Sequence, residues 1–382
     1  MSPKYLILGI PDGGLFLVRQ LRKQWPQSTI FAIGQPRDIG QYSNCIDRFY
    51  SAGDENEFCH AVQHAYNDME DGEIMAYCCS NPMLEWVVRH KELFDLFSFE
   101  NPYSFYQTIM DKRQVSLLCD ECGVRHPQEF PLSTKDVNSL PYPVVVKPLE
   151  KMVDVPIKKC TYISSSQAMG SFLMKMETIH AKITNMVCQQ AIAGDNRWEY
   201  GYGGYFQDGE PLIDICFHQF RQHPQGLCTY VREITDEKLS DDIRNFVKLL
   251  LHKIHVNGFI EFDIKQDSET KLLYLLDINP RPWRSSDMLT VKLGNSTIFH
   301  PVINNQYVEW IYPLKALFSK KNPNNISKRQ CIVITGNQHF QTYVSMSDKN
   351  DPNPSKQQKK RAFKAFFNTM SKYFFLKKKS KI

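Results

Sequence analysis

The chain predicts an α/β fold: an N-terminal doubly wound unit followed by a unit of two α+β lobes. Three stretches carry that expectation. Residues 4–10, KYLILGI, form an apolar run, followed by Gly13 and Gly14, the helical pattern LFLVRQLRKQW and a second apolar run at 29–34, TIFAIG. Strand, glycine turn, helix, strand is the order of a parallel α/β unit. Residues 236–257 place Leu239, Ile243, Phe246, Val247, Leu250, Leu251 and Ile254 at three- and four-residue spacing, the mark of an amphipathic helix. Residues 258–284, GFIEFDIKQDSETKLLYLLDINPRPWR, then read as two short strands joined by the polar turn QDSETK.

The remaining elements fill in the order. A helical stretch near 54–70 and the run IMAYCC at 74–79 extend the first unit. Gly9-x-x-x-Gly13-Gly14 has the wrong spacing for a dinucleotide fingerprint and reads as a tight turn. Residues 107–122 read as a helix ending at Gly123. VVVKP at 144–148 reads as a buried strand, Asp208-Gly209 as a hairpin turn, and 331–335, CIVIT, as a late strand. Residues 347–358 are Pro/Asn/Ser-rich and read as a flexible linker. The expected domains are 1–106, 107–310, a small extension and linker at 311–355, and a basic tail at 356–382.

Composition narrows the function classes. At 382 residues the chain can bury a sizeable core, and its hydrophobic share of 42% is ordinary for a globular protein. Eleven cysteines are scattered and odd in number, and MSPKYLILGI runs directly into a strand without a secretory pattern. The expectation is reduced thiols in the cytoplasm. No apolar run approaches the roughly 20 residues that span a bilayer. The net charge of +5 is local: residues 356–382 hold ten Lys/Arg and no acid, and the rest carries 36 basic and 41 acidic groups. His60 and His64 lie four apart without a third ligand in register, and Cys119-x-x-Cys122 has no second pair, so a zinc site is not expected.

The chemistry concentrates in the 258–284 stretch. Ile260, Phe262 and Ile264 alternate with Glu261, Asp263 and Lys265, so the two acids share a strand face. Asp277 and Asn279 are also two apart, and a hairpin brings them near Glu261 or Asp263. Like charges facing each other are destabilising unless a cation lies between them. Carboxylates with an amide oxygen form a hard, all-oxygen donor set of the kind that suits magnesium shared with substrate phosphates. Arg281, just beyond the strand, has the planar fork that matches a phosphate oxygen pair. Lys147 ends an otherwise apolar strand, a costly place for a charge without an anionic partner such as phosphate.

The exit Asp277-Ile278-Asn279-Pro280-Arg281 resembles the metal-binding hairpin of ATP-grasp enzymes, which usually ends in Glu-x-Asn-Pro-Arg. Here Asp277 stands where Glu is usual. The resemblance implies an ATP-grasp domain preceded by an N-terminal α/β domain that helps form the acceptor cleft, with ATP and Mg2+ as cofactors. It implies magnesium held by Glu261, Asp277 and Asn279, with Asp263 added from strand alternation, and phosphate contact by Arg281. It also implies that Lys112 and Lys147 hold phosphates. Residues 149–160 lie where the family has a mobile phosphate-covering loop; this chain has no glycine there, and Lys151, Lys158 or Lys159 would supply charge. Residues 186–194, MVCQQAIAG, resemble the hinge that reads adenine, implying contacts by Cys188, Gln189, Gln190, Ala191 and Ile192. Asp195 and Glu199 are candidates for the ribose hydroxyls.

Arg221 to Gly226, Arg-Gln-x-Pro-x-Gly, resembles the carboxylate–amine ligase subgroup. Arg221 and Arg232 are the candidates for gripping a substrate carboxylate or acyl phosphate, because a guanidinium does so with two hydrogen bonds. The expected function is ATP- and magnesium-dependent ligation of an amino-acid-like carboxylate to an amine through an acyl phosphate. The alternatives are a non-catalytic ATP-binding scaffold and a membrane-surface ligase modifying a glycan or cell-wall precursor. The partners expected are small-molecule carboxylate and amine substrates. The tail places Phe363, Phe366, Phe367, Met370, Tyr373 and Phe374 on one helical face among basic residues, a pattern for an anionic membrane surface at the inner face of the membrane, with nucleic acid the weaker rival.

Overall fold

The computed structural model describes residues 2–69, 72–132, 137–148, 160–180, 183, 186–222, 227–312 and 340–361, and every structural statement below concerns these. Three sheets organise them. The first contains β1 (Lys4–Leu8), β2 (Thr29–Gly34), β3 (Arg48–Ser51), β4 (Ile74–Cys78) and β5 (Ser98–Phe99), all parallel, in the order β3-β2-β1-β4-β5. Helices α1 (Asp12–Gln24), α2 (Glu55–Asp68), α3 (Asn81–Arg89), α4 (Leu93–Leu96), α5 (Tyr103–Met110) and α6 (Lys112–Cys122) connect and follow these strands. Along β1, Leu6 and Leu8 enter one buried cluster while Tyr5 and Ile7 enter another. Burial on both faces is what a near-continuous apolar run specifies.

The second sheet is β6 (Glu129–Phe130), β7 (Val144–Pro148), β8 (Thr161–Ile163) and β9 (Met186–Gln190), in the order β6-β9-β7-β8, with α7 (Ser166–Thr178) beside it. Val144, Val146, Met169, Phe172 and Cys188 give this lobe its own core. The third sheet has seven strands: β10 (Glu199–Gln207), β11 (Glu210–Gln222), β12 (Cys228–Glu233), β13 (Gly258–Gln266), β14 (Leu273–Asn279), β15 (Tyr307–Ile311) and β16 (Phe340–Val344), in the order β14-β13-β10-β11-β12-β15-β16. Between β12 and β13 runs α8 (Glu237–Ile254), whose Ile243, Val247, Leu250 and Leu251 share a buried cluster with Leu6 and Leu8. A short helix, α9 (Leu289–Leu293), precedes β15.

Two expectations are corrected. The helix expected over 107–122 breaks at Asp111, which closes α5 and caps α6 by accepting from Arg113 N at 2.8 Å. A short acidic side chain that bonds its own following amides favours a new helix start over continuation. The linker expected at 347–358 is instead docked, and residues 353–361 are helical, α10. Asp351 is 1% exposed and accepts from Arg19 Nε at 2.9 Å, Ser43 Oγ at 2.7 Å and Asn44 N at 2.8 Å. Polar composition signals a turn, but it carries no trace of a partner 332 residues away. The CIVIT run and the tail beyond residue 361 lie outside the described residues.

The junction between the first and third sheets contains a half-buried acid. Glu100 accepts from Tyr205 Oη at 2.7 Å and sits against Gly258, where a Cβ would meet its carboxyl oxygens. Burial pushes its pKa up to about 7, partly opposed by the Tyr205 hydroxyl. The folded chain therefore holds this proton more tightly than the unfolded one. The resulting stability is fully present below the ordinary glutamate pKa and is lost as pH rises through about 7. Urea unfolding at pH 5 and pH 8 should show the protein weaker at pH 8, with Glu100 contributing on the order of 3 kcal/mol. Glu100→Gln should remove that share of the difference; an unchanged difference would refute the assignment.

Candidate active site

The 258–284 stretch forms the expected hairpin, with Glu261 opposite Asn279 and Asp263 opposite Asp277. The register slips beyond Asp263, at a bulge that follows Leu276. Glu261 and Asn279 are buried, at 8% and 3% exposure. The Asn279 amide nitrogen donates to Glu261 Oε2 at 3.3 Å and to Asp263 Oδ2 at 3.4 Å. Gln219, on β11, donates to Asp263 Oδ1 at 3.0 Å. On the neighbouring strand, Gly201 and Gly203 lie opposite Asp263 and Glu261. Their missing side chains leave room for Phe217 and Trp283, which stack with ring centroids 6.1 Å apart.

This cluster fits magnesium by its chemistry. Two carboxylates converge beside a carboxamide whose nitrogen now faces both acids and which would present its oxygen to a cation once the amide turns over, and magnesium ordinarily takes one or two carboxylates and completes its shell with phosphate and water oxygens. Among the described residues no group of three or more His, Cys, Asp or Glu is placed to hold a metal without such help. Asp277 lines a separate cavity of roughly 30 Å³ with Lys112 and Gln189. Lys112 is the first residue of α6, and Gln189 donates to Glu129 Oε1 at 3.2 Å, which also accepts from Ser116 Oγ at 2.9 Å.

Lys147 reaches the hairpin from the four-stranded sheet, its Nζ 3.5 Å from Leu276 O. Cys188, Gln189 and Gln190 form the end of β9, with Ala191 and Ile192 just after it. The Gln190 amide donates to Gln128 O at 2.8 Å and the Ala191 amide to Pro143 O at 3.2 Å. An adenine edge would therefore be read by other backbone groups of this segment. Asp195 caps the turn at Asn196–Trp198 and pairs with Arg197 at 2.9 Å, which holds its carboxyl below the usual range. Glu199 Oε2 accepts from Gln222 Nε2 at 2.7 Å.

The two arginines expected to grip substrate part company. Arg221 is 1% exposed, and its Nε, Nη1 and Nη2 have no hydrogen-bond partner among the described residues. Arg232 is committed to structure: Nη2 donates to Tyr230 Oη at 2.6 Å and to Glu309 Oε2 at 3.3 Å, while its guanidinium lies 4.8 Å from the Phe340 ring centre. Its guanidinium is held in an aromatic and carboxylate cage of Phe220 on β11, Glu309 on β15 and Phe340 on β16. The loop at 149–159, with Lys151, Lys158 and Lys159, lies outside the described residues, as does most of the motif that follows Arg221.

Arg281 joins the hairpin to a second space. Its Nη2 donates to Asn279 Oδ1 at 3.2 Å, and its Nε donates to Asn81 Oδ1 at the start of α3. Asn81 lies beside a cleft of about 710 Å³ at the carboxyl ends of β1 and β4. Chain direction across the sheet reverses between these strands, the place where open α/β sheets bind ligands. Gly13 lets the two units meet there: a Cβ on it would stand 2.6 Å from the carbonyl oxygens of Pro282 and Trp283. The sequence reading missed Asn81, Gln219 and Arg284. Arg284 pairs with Asp12 at 3.1 Å and lies over the Tyr312 ring at 4.6 Å. Its position three residues after Arg281 was the available signal.

No family model matches the chain. Its sequence is similar to the D-aspartate ligase of Enterococcus faecium (strain Aus0004), 24% identical over 272 residues, which covers 66% of this chain and 64% of that relative. The fold is similar to N5-carboxyaminoimidazole synthetase from Staphylococcus aureus complexed with ADP, with TM-score 0.59, 16% identity, and 79% and 76% of the two chains covered. It is also similar to L-amino acid ligase from Bacillus licheniformis, with TM-score 0.57, 15% identity, and coverages of 77% and 71%. For a biotin carboxylase from Campylobacter jejuni the TM-score is 0.60, the identity 12%, and the coverages 77% and 69%. With its parallel N-terminal sheet, its separate four-stranded lobe and its carboxylate hairpin in the third sheet, the chain has the ATP-grasp fold.

Proposed function

We propose that the protein is an ADP-forming ligase that joins an amino-acid-like carboxylate to an amine, with ATP as phosphoryl donor and magnesium at the hairpin. The observation that carries this reading is Arg281, which links the carboxylate–amide cluster through Asn279 to the cleft through Asn81. A residue in that position serves both a phosphate and an acceptor. The similarity to D-aspartate ligase supports the same chemistry. Bound magnesium would supply charge neutralisation at the phosphates. A carboxylate oxygen of the substrate bonds to the γ-phosphorus and ADP departs; the amine nitrogen then attacks the acyl carbon, phosphate leaves and the amine loses a proton.

The chain's own work is positioning. Glu261, Asp263 and Asn279 hold the metal, with Asp277, which lines a cavity together with Lys112, as a further candidate. Lys112 and Lys147 hold phosphates, the 188–192 segment and Asp195 and Glu199 border the nucleoside, and Arg221 offers an uncommitted guanidinium to the developing anion. No nucleophilic side chain is required. The domain division in this reading is 1–106 for the acceptor side, 107–310 for the nucleotide side, and 311–355 with the 356–382 tail beyond. Asn279→Ala should lower substrate-dependent ADP release by about 100-fold or more, the usual scale for losing one oriented charge-stabilising group. Equal rates in variant and parent would refute the site.

Among the described residues no helix is long and apolar enough to cross a membrane. We place the protein in the cytoplasm with its basic tail on an anionic membrane surface, because the sequence of that tail spaces its aromatic residues as one face of a helix would require and includes ten basic residues. Deleting residues 356–382 should abolish sedimentation with phosphatidylserine vesicles; retained binding would reject the tail as the anchor.

A further inference from the structure

The cleft at the carboxyl ends of β1 and β4 is lined by four arginines, Arg37, Arg281, Arg284 and Arg361, and by two acids, Asp12 and Asp38. Each acid is already engaged. Asp12 pairs with Arg284 at 3.1 Å, and Asp38 Oδ2 accepts from the amides of Ile10 at 3.1 Å and Gln35 at 3.2 Å. The lining thus carries two positive charges in excess. Arg281 stands at the hairpin side. Arg37 follows β2, and Arg361 is the last described residue of α10, a part of the chain that belongs to neither lobe.

Arg361 is held there by built structure. Its Nη1 donates to Arg37 O at 2.7 Å, and its guanidinium lies 5.6 Å from the Tyr42 ring centre. The helix that carries it is tied to the first sheet's helices by the buried Asp351–Arg19 pair and by Asn353 Nδ2 donating to Asn44 Oδ1 at 2.7 Å. A flexible terminus would not bury an ion pair to place one arginine beside a cavity. The excess charge also lies at two places rather than one: Arg281 on the hairpin side, and Arg37 with Arg361 on the side formed by β2 and α10. A volume of about 710 Å³ is ample for a small amino acid derivative.

We propose that the cleft takes a carboxylate substrate bearing a second anionic group, and that Arg361, supplied by the C-terminal helix, together with Arg37 selects for that second group. This rests on the ligase reading and adds the substrate class and the residue that chooses it. One carboxylate lies toward Arg281, where it would be activated. The other is read by Arg361, so the C-terminal helix forms part of the substrate wall.

The test uses the full-length protein. Calorimetric titration with dicarboxylic amino acids (aspartate and glutamate of both hands) and with alanine should show at least tenfold tighter binding of one dicarboxylic acid. Arg361→Ala should erase that preference, Arg361→Lys should restore part of it, and the stabilisation by magnesium and a non-hydrolysable ATP analogue should be the same in all three proteins. In turnover, Arg361→Ala should raise KM at least tenfold with kcat changed less than threefold. No dicarboxylate preference in the parent, or a preference that survives Arg361→Ala, would overturn the proposal. Selective binding that depends on Arg361 without ADP release from any acid and amine would uphold it and defeat the ligase reading instead.

Discussion

Replacing Lys147 by alanine should abolish most of the stabilisation that magnesium and an ATP analogue confer. Lys147 lies one residue before the end of β7, and its Nζ approaches the hairpin at Leu276 O, 3.5 Å away. A hydrogen bond at that distance is weak. A phosphate oxygen would give the same ammonium a charge-assisted bond in a half-buried setting, and the nucleotide state gains what the free state lacks. At ligand near 100 times its dissociation constant, the parent should be stabilised by about 2.7 kcal/mol. A tenfold loss of affinity in Lys147→Ala would remove about half of that at the same concentration, and a hundredfold loss nearly all. Melting temperatures with and without ligand decide the matter. An equal shift in both proteins would remove Lys147 from the site and leave the hairpin without its partner on the other lobe.

Arg221→Met should stabilise the free protein and destroy turnover. The guanidinium is 1% exposed and none of its three nitrogens has a partner among the described residues. An unpaired charge kept out of water costs several kcal/mol, and a methionine fills similar space without that cost. We expect a gain of about 2–4 kcal/mol in urea unfolding. We also expect ADP release to fall by about 100-fold or more if the arginine is kept for a developing anion. The opposed signs make the result diagnostic. Loss of stability would mean that Arg221 is a structural residue. A stabilised variant with full activity would mean that the buried charge has no catalytic use. The contrast with Arg232 is instructive, since that arginine has Tyr230 and Glu309 as partners and aromatic faces around it. Its removal should cost stability first, because Tyr230 Oη would lose the Arg232 donor and Glu309 would lose its ion-pair partner.

Much of the architecture was legible because it rests on periodicity. The apolar runs at 4–10, 29–34 and 74–79 became β1, β2 and β4 of a parallel sheet, and the 236–257 stripe became α8. Alternation put Glu261 and Asp263 on one face, and the two-residue spacing of Asp277 and Asn279 led to their cross-strand partners. These are local properties, set by the two-residue repeat of a strand and the 3.6-residue repeat of a helix. The Asn-Pro-Arg exit added a resemblance that periodicity alone could not provide.

What the residues by themselves determined was the class of the fold, the order of its elements and the chemical character of the hairpin. Tertiary structure decided how those parts are used. It put Asp351 against Arg19 and so turned an apparent linker into a wall of the cleft. It carried Arg281 from Asn279 across to Asn81, left Arg221 without a hydrogen-bond partner among the described residues, and gave Arg232 a cage. Each of these depends on which distant groups meet in a low-dielectric interior. A charged side chain has the same composition signal whether it finds a partner there, waits for a ligand or faces water; only the packing of its surroundings fixes which free energy it carries.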